Sequence, residues 1–303
     1  MTTIFKDKRI PVNHVELQVR QYEGAGAAIV FLHFSGANLM MWSRAMHHFQ
    51  ESHRLVLVDL RGHGRSDSPA HGYGADNMAK DVLEVMTALG IEKAHVIGSS
   101  MGAEVGLSLA ANHPERVISL ACDGAFASEY GPYGTWNGSE KEFEDHVTEA
   151  LKKMAERPER IYSSVDELVN FHRENLEPVG WWNADVELMV RYGVKDLGDG
   201  RVTSSPDRTV LLEYMESYYP MRLEEYYSWV TCPILMLPEE ELLTNEREIA
   251  CMHALQGLAK EARIVPVQGW QHPYGWLIDP YAMCMTLREF LGQCEQGLLA
   301  EFK

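Results

Sequence analysis

The sequence predicts an α/β protein built on a doubly wound, mostly parallel sheet that is interrupted by an inserted helical segment. Three observations carry this. Continuous apolar runs alternate with amphipathic stretches through the first third of the chain. About a hundred residues of helical pattern follow, and strand character then returns before the end. A run that is apolar at every position suits a strand covered on both faces, as in a parallel sheet between helix layers.

Taken in order, residues 12–20 alternate in the manner of an edge strand. Residues 27–34 (AAIVFLHF), 54–60 (RLVLVDL), 94–98 (AHVIG) and 117–122 (VISLAC) are the continuous runs. Residues 76–89 lie between them with Met78, Val82, Val85, Met86 and Leu89 at helical spacing. A second helix is expected over 101–112, ending near His113-Pro114. This βαβα alternation is the pattern of a doubly wound sheet. It changes after about Phe126, and Gly131-Pro132-Tyr133-Gly134 is a turn-rich break. From 139 to about 219 the pattern is helical, with no convincing strand. Ser139 with Glu142 and Ser164 with Glu167 read as capping boxes. Residues 185–192 and 207–218 have helical spacing, and Pro220 closes the block. Residues 233–237 (PILML) and 262–267 (ARIVPV) read as strands around a helix at 245–258. Asp279-Pro280 opens a last helix running through Phe290. The expected organisation is a split core, 1–125 and 229–303, around a helical insertion at 126–228.

At 303 residues and 46% hydrophobic, the chain can bury one large core with an insertion. A formal charge of −17 disfavours nucleic acid and anionic membrane as partners. The five cysteines are odd in number and widely spaced, with no CxxC pair, so neither a zinc knuckle nor a dithiol redox motif is suggested. They read as free thiols in a reducing compartment. The N-terminal residues carry charge without an apolar run behind them, and no stretch approaches the ~18 apolar residues that span a bilayer. The expectation is a cytoplasmic, soluble protein acting on a small molecule without metal or cofactor.

The strongest chemical signal is Gly98-Ser99-Ser100-Met101-Gly102, a G-x-S-x-G run between an apolar strand and a helix. The chain must turn sharply there and leave Ser100 strained and exposed. Side chains at 98 and 102 would collide with the turn. The helix that follows points its first amides at the reaction centre. The second signal is His33-Phe34-Ser35-Gly36-Ala37-Asn38, directly after a strand. This loop is placed to offer a backbone N–H, of Ser35, to an oxyanion, with Met101 supplying the second. His33 itself reads as a scaffold residue. The third is His272 in Gln268-Gly269-Trp270-Gln271-His272-Pro273, between the last strand and the last helix. A loop at the carboxyl edge of the sheet is where a general base can reach Ser100.

These motifs resemble the α/β-hydrolase superfamily in order and spacing, together with Asp59-Leu60-Arg61-Gly62-His63-Gly64-Arg65-Ser66 and His113-Pro114-Glu115-Arg116-Val117. The resemblance covers both core segments, and the insertion corresponds to the family's cap by position only. It implies Ser100 as nucleophile, His272 as base, and the Ser35 and Met101 amides as oxyanion donors. It gives Arg61 and His63 a structural turn and no catalytic role. Two departures stand out. Phe34 replaces the usual glycine after the loop histidine. The usual aspartate after the strand PILML is absent, where the chain reads Pro238-Glu239-Glu240-Glu241-Leu242. The acid partner of His272 is then Glu241, with Glu240 next to it, or Asp123 one strand earlier. The implied activity is hydrolysis of an ester, lactone or thioester. A carbon–carbon bond hydrolase with the same triad, or a ligand sensor without turnover, would share these motifs. A serine at the elbow argues against the dehalogenase and epoxide hydrolase branches, which need a carboxylate there. Aromatics of the insertion, among them Trp136, Trp181 and Trp182, and Phe34 in the loop are expected to wall the substrate pocket and favour an apolar substrate.

Overall fold

The computed structural model describes residues 5–298. The chain opens with strands β1 (Phe5–Val12) and β2 (Val15–Tyr22), then β3 (Ala28–Leu32) and β4 (Arg54–Val58). Helix α1 (Ala75–Ala88), β5 (Ala94–Ser99), α2 (Met101–Asn112) and β6 (Val117–Asp123) complete the first core segment. The inserted segment carries α3 (Glu140–Glu156), α4 (Val165–Leu176), α5 (Ala184–Tyr192), β7 (Val194–Asp196), β8 (Val202–Ser204), α6 (Arg208–Tyr218) and α7 (Leu223–Tyr227). The core resumes with β9 (Ile234–Met236), α8 (Glu246–Leu258), β10 (Ala262–Ile264), α9 (Gly275–Ile278) and α10 (Tyr281–Glu295).

Eight strands form one sheet in the order β1-β2-β4-β3-β5-β6-β9-β10. From β4 to β10 every pairing is parallel, and β2 joins that array antiparallel. The period-2 geometry of a strand explains the continuous apolar runs. In β3, Val30 and Leu32 enter one core cluster while Ile29 and Phe31 enter the other. Val96 and Ile97 of β5 divide in the same way. The first cluster lies under α1, α2 and α8. The second lies under α10 and the segment after β3 that carries Leu39, Met41 and Trp42. The chain leaving β3 therefore covers one face and the chain leaving β5 covers the other. Neighbouring strands whose connections diverge in this way open a crevice at their carboxyl ends, where ligands bind in such sheets.

The first strands differ from expectation. The alternating stretch at 12–20 is not one edge strand. It contains a hairpin turn at Asn13-His14, and Val12 pairs with Val15 across it. Both turn residues have positive φ, 39° and 66°, as a tight two-residue hairpin with right-handed strand twist requires. The outer strand is β1. The insertion also holds the small β7–β8 hairpin where only helices were expected. In α3 the Ser139–Glu142 capping box is complete. At α4, Ser164 caps through its hydroxyl, whereas the Glu167 carboxylate takes the backbone N–H of Ser163 rather than of Ser164.

Hydrogen bonds that tie the insertion to the core include three from Asn38, Tyr192 and Tyr214. Asn38 Nδ2 donates to the Met189 carbonyl of α5 at 2.9 Å. Tyr192 Oη donates to Asp59 at 3.0 Å. Tyr214 Oη of α6 donates to Glu104 of α2 at 2.9 Å. Burial pushes the Glu104 carboxyl up from its ordinary 4.5 to about 7, and the Glu129 charge adds to this against the Tyr214 hydrogen bond. A carboxyl whose folded pKa is raised stabilises the fold below its unfolded pKa, and that stability is lost as pH rises through the folded value. Glu104→Gln should then match the wild type near pH 4.5. At pH 8.5 it should be the more stable by on the order of 3 kcal/mol. Thermal unfolding at the two pH values checks this; a variant no more stable than wild type at pH 8.5 would contradict it.

Candidate active site

Ser100 sits between β5 and α2 with φ 49° and ψ −119°, a conformation that costs a non-glycine residue roughly 1–3 kcal/mol. The surroundings hold it there. Its N–H donates to the Asp123 carbonyl at 2.7 Å, and its carbonyl accepts from Ala103 N at 2.7 Å. The flanking glycines are required by space. A Cβ on Gly98 would lie 2.3 Å from the Gly102 carbonyl oxygen, and one on Gly102 would lie 2.1 Å from that of Leu32. Gly124 closes the turn from the other side. Its φ is 129°, and a Cβ there would stand 2.8 Å from Ser100 Cα. Ser100 is half-buried, and among the described residues its hydroxyl makes no hydrogen bond.

The neighbouring strand supplies the carboxylate. Ser99 is in register with Asp123, the last residue of β6. The Asp123 side chain is 2% exposed and accepts four hydrogen bonds. Oδ1 takes His272 Nδ1 at 2.9 Å and Trp270 Nε1 at 3.1 Å. Oδ2 takes Trp276 Nε1 at 2.7 Å and the Ser99 hydroxyl at 2.9 Å. Two oxygens offer about four lone-pair sites, so the acceptor capacity is filled by donors. This carboxylate thus fixes the His272 tautomer, with Nδ1 protonated and Nε2 left as the basic nitrogen.

Glu241 and Glu240 do not reach the ring. Glu241 is exposed at the start of a single 3₁₀ turn, where its carbonyl accepts from Thr244. Glu240 Oε2 accepts from Gly269 N at 3.3 Å. Of that acidic run, Glu239 is the member that meets the histidine, accepting from His272 N at 3.1 Å. The reason is strand length. β9 ends at Met236, so Glu239 and Glu240 reach only backbone N–H groups of the His272 loop and the 3₁₀ turn carries Glu241 out to solvent, whereas Asp123 terminates a longer strand next to the elbow. Burial alone would lower the His272 pKa. The Asp123 charge and hydrogen bond, with Glu239 behind them, outweigh it and leave the pKa raised above the ordinary value.

The loop after β3 lies against the start of α2, as the close approach of Gly102 to the Leu32 and His33 carbonyls requires. Phe34 is accommodated at negative φ. The left-handed residue of the loop is Gly36, at 90°. The N–H groups of Phe34, Ser35 and Met101 donate to no group among the described residues. His33 Nε2 accepts from Leu60 N at 3.0 Å, so its Nδ1 carries the proton and faces the Phe34 carbonyl at 2.8 Å. Burial, with the neighbouring His63, holds its pKa well below the usual value. His33 therefore fastens the loop. Arg61 is bound to Asp81 through two contacts of 2.6 Å, and His63 Nδ1 faces the Arg61 carbonyl at 3.0 Å.

Of the aromatics expected on the pocket wall, Trp136 packs on Phe143 and His146 of α3, and Trp182 lies under the Arg173 guanidinium. The indole that meets the His272 loop is Trp181. It donates to Gln271 Oε1 at 2.8 Å and stacks on Tyr274, which in turn packs on Phe34. Sequence reasoning also passed over Trp270, Trp276 and Ser99. A faint signal existed, because the two tryptophans flank His272 at −2 and +4, and an indole N–H can only donate. Among the described residues no group of three or more His, Cys, Asp or Glu side chains could hold a metal ion, and no helix is long and apolar enough to cross a membrane.

A strained serine between a central strand and a helix, with a histidine–carboxylate pair on the same sheet edge, defines a class, and the chain has the alpha/beta hydrolase fold. The model of the alpha/beta hydrolase fold matches residues 27–175. Among curated proteins, the chain is 30% identical over 129 residues to 2-(acetamidomethylene)succinate hydrolase of Mesorhizobium japonicum, covering 43% of this chain and 44% of that one. It is 37% identical over 89 residues to 3-oxoadipate enol-lactonase 2 of Acinetobacter baylyi, covering 29% and 33%. The chain thus matches less than half the length of these curated relatives. The crystal structure of E-2-(acetamidomethylene)succinate hydrolase superposes with a TM-score of 0.75 at 22% identity, over 95% of this chain and all of that one, which shows a shared fold.

Proposed function

We propose that this protein is a serine hydrolase that cleaves the ester-like bond of a small, predominantly apolar carboxylic ester, lactone or thioester. The observation that carries the reading is the 2.9 Å contact between His272 Nδ1 and Asp123 at the edge of the sheet where Ser100 is perched. Ser100 Oγ attacks the carbonyl carbon as His272 Nε2 takes its proton. The oxyanion is held by the Met101 amide and one from the 34–35 loop, for which Ser35 is our choice. The tetrahedral intermediate collapses, the bond to the leaving oxygen or sulfur breaks, and His272 returns the proton to that atom. Water, deprotonated in the same way, then releases the acid from Ser100. The insertion at 126–228 serves as the cap that shapes the pocket, with Trp181, Tyr274 and Phe34 along its histidine side. The likeness to an enol-lactonase supports this choice of bond. Five unpaired cysteines, four of them buried, fit a cytoplasmic setting.

A fluorophosphonate probe with peptide mapping, run beside a p-nitrophenyl ester series, tests the reading. Stoichiometric labelling at Ser100 with turnover of short esters is expected. Labelling without turnover of any ester would turn the assignment towards a carbon–carbon bond hydrolase or a ligand sensor. No labelling at Ser100 would end it.

The pH profile offers a second check. The base must be neutral to accept a proton, so kcat/KM falls as pH drops through the His272 pKa. Since that pKa is raised, the acid limb should lie above the ordinary histidine value of about 6.5. Glu239→Gln keeps an acceptor for His272 N and removes a charge, so the limb should move to lower pH. A limb that stays in place would count against Glu239 acting on the base.

A further inference from the structure

A cavity of about 620 Å³ lies within the inserted segment, and none of the residues placed at the hydrolytic site lines it. We propose that it is a binding site for a small organic carboxylate with an aromatic or aliphatic body, separate from the site around Ser100.

Its lining has two parts. Arg157, Arg160 and Arg208 supply three guanidinium groups, while Tyr162, Phe171 and Leu211 supply apolar surface. Among the described residues none of these three arginines forms an ion pair with a carboxylate. Other arginines of the insertion behave differently. Arg173, Arg191 and Arg201 each face a carboxylate, at 2.8, 3.0 and 2.6 Å. Two of the cavity's guanidiniums are held in place. That of Arg160 lies 4.2 Å above the Phe171 ring, and Arg208 donates to the Arg157 carbonyl. Two carboxylates share the lining. Asp207 caps α6 and contacts Lys195, and Glu159 is exposed, as are Arg157 and Arg160 at the cavity's rim, whereas Arg208 is half-buried.

In a chain of formal charge −17, long-range forces repel anions. Unpaired guanidiniums gathered round an aromatic-walled cavity therefore mark a place where an anion is held by direct contact. Guanidinium is the group best shaped to take a carboxylate through paired N–H donors. The volume is that of a pocket for an ordinary small molecule. The cavity does not merge with the hydrolytic site. A neighbouring cavity of about 40 Å³ shares His172 and Ser204 with it and reaches Gly36 and Tyr274, but it has room for only a few waters at most.

Calorimetric titration with 4-phenylbutyrate and with its primary amide tests the site. The full-length wild type, Ser100→Ala and a double variant, Arg157→Gln with Arg160→Gln, are compared. The double variant leaves the Arg208 tether to the Arg157 carbonyl intact, and unchanged ester turnover and circular dichroism would show that it is folded. Binding of one carboxylate per chain is expected, about tenfold or more weaker for the amide and for the double variant, and unchanged in Ser100→Ala. Equal affinity for the amide, undiminished affinity in the folded double variant, or no binding of the carboxylate at millimolar concentration would each overturn the proposal. Loss of binding in Ser100→Ala would move the ligand to the hydrolytic site and overturn it too. None of these outcomes depends on which bond the hydrolytic site cleaves.

Discussion

Replacing Ser100 with alanine should lower ester turnover by about 10⁴-fold or more and leave the fold intact. Both halves of that result follow from geometry. On the proposed mechanism the hydroxyl is the reacting part of the side chain, and it contributes no hydrogen bond to the fold among the described residues. Alanine keeps the Cβ, so the strained φ of 49° is neither relieved nor worsened, and the backbone bonds to Asp123 and Ala103 remain. Activity and circular dichroism on one preparation check it. A variant that turned over esters at near the wild-type rate would show that another group attacks the substrate.

The second large effect concerns the acid. Asp123→Asn should cost about 10³–10⁴ in kcat, whereas Glu241→Gln should change it by less than about tenfold. An asparagine amide presents an N–H₂ group where the carboxylate accepted from Trp270, Trp276, Ser99 and His272. At least one of those donors then loses its acceptor, and an imidazolium at 272 loses its counter-charge. Glu241 is exposed and touches no part of this arrangement. Steady-state kinetics of the two purified variants decide between them. If Glu241→Gln were the damaging change, the carboxylate pairing described above would not be the one used in turnover.

Much of the fold was legible because strand burial writes itself into composition. The runs that became β3, β4, β5 and β6 are apolar at nearly every position, since both faces of these strands are covered. The serine turn was legible because its motif is a short contiguous run between an apolar strand and a helix, and because Gly98 meets the backbone of Gly102 and Ala103 within that stretch; the approach of Gly102 to the Leu32 carbonyl is long-range and left no local mark. What failed to show was either short or distant. β7 and β8 are three residues each, too brief to establish a period of two. The turn at Asn13-His14 lacks the glycine that usually signals such a hairpin, so its strands merged into one. The carboxylate partner depends on chain separations of 147 to 153 residues to the two tryptophans and the histidine. No local pattern records that Trp270 and Trp276 would converge on one aspartate, or that Trp181 rather than Trp182 would turn towards Gln271.

Asp123 grips the elbow through its main chain and the imidazole through its side chain. One residue thereby acts as a common fixture for two groups that lie 172 positions apart in the sequence. Their alignment is set by the covalent dimensions of that residue and by the pairing of β5 with β6 at the middle of the sheet. Heat inactivation should accordingly track melting of the central strands, with no earlier phase in which the machinery loosens while the body stays whole.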